Sequence, residues 1–182
     1  MNKSWMLICA TALALTACDR TEEAKPTSPK AAEAAGDKTL ATGLDETPKF
    51  AAAIKAAGLD AALAGPTPYT VLAPSDAAFA ALPAGAVDRL MTPDARKELT
   101  ALLSNHILPG TMLAADINKA IDAGGGKARI RTLGGGTLTA SRDGDALLFA
   151  DAAGTAARVT GDVRQRSNGV IFPIDAVLVP TK

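Results

Sequence analysis

Tyr69-Thr70-Val71-Leu72-Ala73-Pro74-Ser75-Asp76-Ala77-Ala78-Phe79-Ala80-Ala81-Leu82 decides the fold class. Tyr69 to Leu72 is a short apolar run that predicts a strand. Pro74-Ser75-Asp76 turns the chain, and Ser75 can cap a helix whose Phe79 and Leu82 face inward. On the N-terminal side, Thr47-Pro48 places a capping residue before a proline at the first helical position. Phe50, Ile54 and Ala57 follow at helical spacing, and Gly58 stops that helix. A second short helix is expected over 61–64. Thr92-Pro93-Asp94 repeats the cap-plus-proline device. The helix it opens carries Leu99, Leu102 and Leu103 on one side and Arg96, Lys97 and Glu98 on the other.

On the C-terminal side the reading turns to strands. Residues 128–133 and 137–141 form partly alternating runs separated by Gly134-Gly135-Gly136. Asp143-Gly144 signals a hairpin before Leu147-Leu148-Phe149. Ala156 to Val159 is a further strand. Val170 to Val179 is nearly all apolar apart from Asp175, which fits a buried strand pair or one long central strand. Helices first and strands afterwards predict an α+β fold, with no internal repeat.

The ends carry different information. Residues 1–18 combine Lys3, an apolar stretch from Trp5 to Leu15, and Leu15-Thr16-Ala17-Cys18. The stretch is too short for a mature membrane span. The last four residues resemble a bacterial lipobox, so Cys18 is expected to become the lipidated N-terminus and Cys9 to leave with the signal peptide. The mature chain would then have neither a free thiol nor an intrachain disulfide. Acyl chains on Cys18 would anchor it durably to a membrane outside the cytoplasm, since each buried CH₂ contributes about 0.8 kcal/mol. Asp19 favours the inner membrane facing the periplasm over the outer membrane. Residues 19–38 hold no large apolar side chain and read as a disordered tether, leaving 39–182 as the folded domain.

Composition narrows the function. Lys plus Arg and Asp plus Glu are 19 each, so the net charge is zero. Aromatics make up only 3% of the chain. Neither a basic phosphate-binding stripe nor aromatic stacking is indicated, which argues against nucleic acid. Two cysteines and one histidine are too few for a structural zinc site. Alanine accounts for 40 residues, so the core must come from Leu, Ile, Val and Phe. No metal or cofactor is expected.

Three segments together resemble the fasciclin domain family: 70–82, the stretch Leu102-Leu103-Ser104-Asn105-His106-Ile107-Leu108-Pro109-Gly110, and Asn168-Gly169-Val170-Ile171-Phe172-Pro173-Ile174-Asp175-Ala176-Val177-Leu178-Val179-Pro180. The resemblance covers roughly residues 40–181. It implies a wedge of mixed strands with helices packed on it, and extracellular adhesion or protein–protein recognition. Some algal members bind carotenoids, which implies a second class of ligand. Asn105 stands where the family often has tyrosine, so the integrin binding of animal members does not carry over. Phe172 stands where histidine is frequent, and Pro173 replaces a usual aliphatic. A pH response resting on a second histidine is therefore lost.

The candidate binding or structural residues are Asn105, His106, Asp76 and Asp175. His106 is the only imidazole. It is expected to be a core or half-buried side chain bonded near the Pro109-Gly110 turn, with a pH-sensitive contact or lone acid/base as the alternatives. Asp76 belongs in the first turn of its helix, where the dipole favours it, and cation binding is the alternative. Asp175 is expected to pair with backbone N–H groups or an arginine, because an unpaired buried carboxylate is costly, and a partner site is the alternative. Asn168-Gly169 reads as a turn with positive φ. Glycines 124–126 and 134–136 read as flexible loops, since Ile121 occupies the place of the first P-loop glycine. No Gly-x-Ser-x-Gly elbow occurs, and Asp143-Gly144-Asp145 is too short for a calcium loop.

These readings predict a membrane-anchored, non-enzymatic envelope module that recognises a protein or polysaccharide partner. Helix faces and the loops near 105–115 and 124–136 are the expected contacts. The alternative is a carrier for an apolar, carotenoid-like molecule in a groove between helices and sheet; Leu40 and the Phe50 helix could offer an apolar face for a partner or pigment, but read more simply as core. A hydrolase would have to rest on His106 alone.

Overall fold

The structure is a computed structural model that describes residues 38–179. The expected leader 1–18 with Cys18, and the tether 19–38 apart from Lys38, lie outside the described residues, as do residues 180–182.

Among the described residues six α-helices and eight strands follow one another. They are α1 (Pro48–Ala57), α2 (Asp60–Ala64), β1 (Tyr69–Pro74), α3 (Asp76–Ala80), α4 (Ala86–Leu90), α5 (Arg96–Ser104), β2 (Ile107–Pro109) and α6 (Ala114–Ala123), then β3 (Lys127–Arg131), β4 (Thr137–Asp143), β5 (Ala146–Ala150), β6 (Ala156–Arg158), β7 (Arg164–Arg166) and β8 (Gly169–Ile174). They build two four-stranded sheets, ordered β2-β1-β8-β7 and β3-β4-β5-β6. The α+β expectation holds. The first sheet is mixed: β1 and β8 run parallel from Tyr69↔Gly169 to Pro74↔Ile174, while β2 and β7 flank them antiparallel. Sequence segments nearly a hundred positions apart are thus adjacent strands. Parallel neighbours require such a crossover.

Burial explains the strand sequences. β1 is buried from Thr70 through Pro74, so its run is continuously apolar rather than alternating. Its side chains serve two cores in turn. Val71, Ala73, Ile107 and Ile171 pack with Phe50, Ile54, Phe79, Leu99 and Leu103 of the helices. Leu72, Leu108, Val170 and Phe172 pack with Ile117 and Ile121 of α6 and with Leu138 and Phe149 of the second sheet. The mixed sheet is therefore the middle layer.

Local signals succeed or fail for identifiable reasons. Gly58 ends α1 at φ 76°, and the Ser75 hydroxyl accepts from Ala78 N at 3.2 Å. Thr47 does not cap α1; its hydroxyl donates to Leu44 O instead. Thr92 likewise bonds back to Arg89 O, and Pro93–Ala95 forms a 3-10 turn before α5 begins. Residues 105–108 are buried and lead into β2, whereas Pro109 at its end and Thr111 in the connection to α6 are exposed. The glycine triplets form tight turns, with Gly125, Gly126 and Gly135 at positive φ. The apolar run after residue 170 is one central strand that stops at Ile174.

Candidate functional site

α5 runs into Asn105 and His106, and the chain then enters β2. The His106 ring has no exposed surface. Its Nδ1 lies 2.9 Å from Leu102 O, and its Nε2 accepts from Leu178 N at 2.9 Å. A carbonyl on one nitrogen and an N–H on the other select the neutral ring with the proton on Nδ1. Burial pushes its pKa down to about 4, opposed in part by the Leu102 carbonyl and the Asp151 charge. The partners sit on α5 and the C-terminal segment, away from the Pro109-Gly110 turn. With both nitrogens committed inside the core, His106 is neither a surface pH contact nor an accessible acid/base.

Asp151, which nothing in the sequence marks, joins the same arrangement. Its carboxylate accepts from Thr155 N at 2.8 Å and from Val179 N at 2.9 Å. His106 and Asp151 thus hold consecutive amides, fixing the segment that carries Val177 and Leu178 against the core.

Asn105 is 3% exposed. Its Oδ1 accepts from the Thr132 hydroxyl at 3.3 Å, and its Nδ2 has no partner. Beside it lies a cleft of about 90 Å³ lined by Asn105, Gly134, Gly136, Thr137, Asp151 and Val179, among others. A Cβ at Gly136 would stand 2.9 Å from Asn105 Oδ1, so the bare backbone gives the amide its place.

The other predicted carboxylates are fixed by backbone. Asp76 Oδ1 accepts from Lys49 N at 3.2 Å, supplying to α1 the cap that Thr47 does not. Asp175 Oδ1 accepts from Arg158 N at 2.7 Å, as expected of a carboxylate paired to N–H, but the residue is exposed rather than buried. Asn168 does more than turn the chain. Its Oδ1 accepts from Leu40 N, and its Nδ2 donates to Leu63 O and Gly65 O, tying three segments together. The Asn-Gly pair carried a turn signal but no sign of those distant partners.

Leu40 and the Phe50 helix belong to the helix–sheet core, as their simpler reading expects, and Leu40 and Phe50 have no exposure. The cleft beside Asn105 has room for only a few waters. The exposed face of β3 is different in character: Lys127, Arg129 and Arg131 all point to solvent, opposite Ser141, Thr139 and Thr137. None of the three has an ion-pair partner among the described residues. Among those residues no helix is long and apolar enough to cross a membrane, and no group of three His, Cys, Asp or Glu side chains could hold a metal.

Residues 45–180 match the fasciclin domain family. Protein sll1483 of Synechocystis sp. is 36% identical over 148 residues, 81% of this chain and 71% of that protein. The cell surface glycolipoprotein MPB83 of Mycobacterium bovis is 35% identical over 112 residues, 62% of this chain and 44% of its own length. The FAS1 domain pair of the insect cell adhesion molecule Fasciclin I shares the fold, with a TM-score of 0.56 at 22% identity over 72% of this chain and 44% of that one. With the match spanning both cores and both signature strands, the chain belongs to the fasciclin domain family.

Proposed function

We propose that this chain is an adhesion-type module of the bacterial envelope that binds a protein or polysaccharide partner through its surface, without catalysis. In this reading Cys18 carries the lipid anchor, residues 19–38 are the tether, and the folded part stands outside the cytoplasm. Asp19 favours the inner membrane over the outer one. The observation that carries the proposal is the commitment of its key polar side chains to the backbone. The sole imidazole and the Asp76, Asp151 and Asp175 carboxylates each hold backbone groups in place, which suits a rigid recognition scaffold. Membership in the fasciclin family and the fold shared with an insect cell adhesion molecule add support. The apolar carrier has less behind it, since Leu40 and Phe50 are spent on the core.

The test compares cells producing the chain, cells lacking it, and cells producing Cys18→Ser. Loss of cell–cell or cell–surface attachment without the chain, and release of Cys18→Ser from the membrane fraction, are the expected results. Unchanged attachment together with no cross-linked envelope partner would overturn the reading.

A further inference from the structure

We propose that the solvent face of the second sheet binds a linear acidic polysaccharide, with Lys127, Arg129 and Arg131 as its cationic row and the Asn105 cleft seating an adjoining sugar hydroxyl. This inference rests on the envelope-module reading and names its partner class.

The row follows from strand geometry. β3 alternates, with Ala128 and Ile130 buried and Lys127, Arg129 and Arg131 exposed. Residues two apart on a strand are roughly 6.6–6.8 Å apart, so the three cations span about 13 Å of one straight edge. Charged side chains guard an edge strand against pairing with another chain. Three like charges in a row on one face make a surface to which a polyanion is attracted. The nearest row of the same face bears Ser141, Thr139 and Thr137 in register, so hydroxyls and no carboxylate flank the cations. Asp143, farther along β4, is taken by Arg158, and Asp122 by Arg142.

The cleft narrows the chemistry. Thr137, opposite Arg131, also lines it. Inside, the buried Nδ2 of Asn105 is a donor without an acceptor, and such groups are rare in folded proteins. Asp151 in the same lining keeps lone pairs for an incoming O–H. A sugar hydroxyl answers both, accepting from Asn105 and donating to Asp151. A ligand carrying carboxylates at intervals and hydroxyls between them satisfies row and cleft together. Nucleic acid would bring charge but find no aromatic platform here, because Phe50, Phe79, Phe149 and Phe172 are all buried. An anionic bilayer would meet the row but could not enter the cleft.

The experiment measures binding of the full chain, purified in detergent, to polygalacturonate at low and high salt. Polyacrylate, dextran, single-stranded DNA and phosphatidylglycerol vesicles serve as comparison probes. Polygalacturonate should bind, dextran should not, and binding should weaken with salt. Lys127→Gln, Arg129→Gln and Arg131→Gln combined should weaken it about ten-fold, the scale of three exposed ion pairs. The wild-type chain should prefer polygalacturonate to polyacrylate, which has charge but no hydroxyls, and Asn105→Ala should erase that preference. No binding at low salt, undiminished binding by the triple variant, or tighter binding of DNA or vesicles would overturn the proposal. A preference that survives Asn105→Ala would overturn the cleft's part in it. If the chain restores attachment in cells yet ignores polygalacturonate, this inference falls and the envelope-module reading stands.

Discussion

Acid should weaken this fold through one side chain, His106. In the unfolded chain an imidazole takes up its proton near pH 6.5, whereas burial lowers the folded value to about 4. The stabilising contribution is therefore complete above 6.5, declines as pH falls, and is gone below 4. At 1.36 kcal/mol for each pH unit between the two values, roughly 3 kcal/mol is lost across that window. That is a large fraction of the stability of an ordinary domain. His106→Gln cannot protonate, so it isolates the effect. Urea unfolding of both proteins should be followed from neutral pH to about 4. Carboxylate contributions cancel when the two unfolding free energies are subtracted. The advantage of wild type over His106→Gln should shrink by about 3 kcal/mol on acidification. A constant difference would refute the reasoning, as would a His106 ring resonance titrating near 6.5 in the folded protein.

Asn168→Ala removes three hydrogen bonds joining distant segments and should cost about 3 kcal/mol in urea unfolding. Gly169→Ala would put a Cβ 1.9 Å from Tyr69 O, prying β1 from β8, and should abolish a cooperative thermal transition. Asp76→Ala should destabilise α1 by about 1 kcal/mol, whereas Thr47→Val should leave its N-terminus capped, because Asp76 and not Thr47 bonds to it. Amide exchange at Lys49 distinguishes those two variants directly.

Much of the fold is legible where the signal is local. Ser75 caps α3, Gly58 ends α1, and the Asp143-Gly144 pair turns β4 into β5, each through chemistry contained within a few residues. The parallel pairing of β1 with β8 is not local, and nothing in either strand alone names its neighbour. Thr47 and Thr92 misled because a threonine ahead of a proline can cap forward or bond backward, and here both bond backward. α6 has no side-chain cap to mark its start, although Ile117 and Ile121 stand one turn apart on its buried face. In the candidate site, Asn105 and His106 were visible as a pair. Their surroundings were not, because Asp151, Thr132 and Leu178 arrive from remote parts of the chain. The β3 row could be read from Lys127-Ala128-Arg129-Ile130-Arg131 once strand alternation was applied. A net charge of zero concealed it, since charge summed over a chain says nothing about its distribution.

If, as proposed, the folded part acts by occupying a partner on the envelope or a neighbouring surface, free chain should compete for that partner. The most direct measurement adds purified chain, in excess, to cells during an attachment assay, with His106→Gln as a variant that keeps the surface intact. Dose-dependent inhibition of attachment by both proteins is the predicted result, because the binding surface and not the buried imidazole does the work. Attachment unaffected by either protein would contradict the adhesion reading. Inhibition by wild type but not by a folded His106→Gln would contradict the structural role assigned to the histidine.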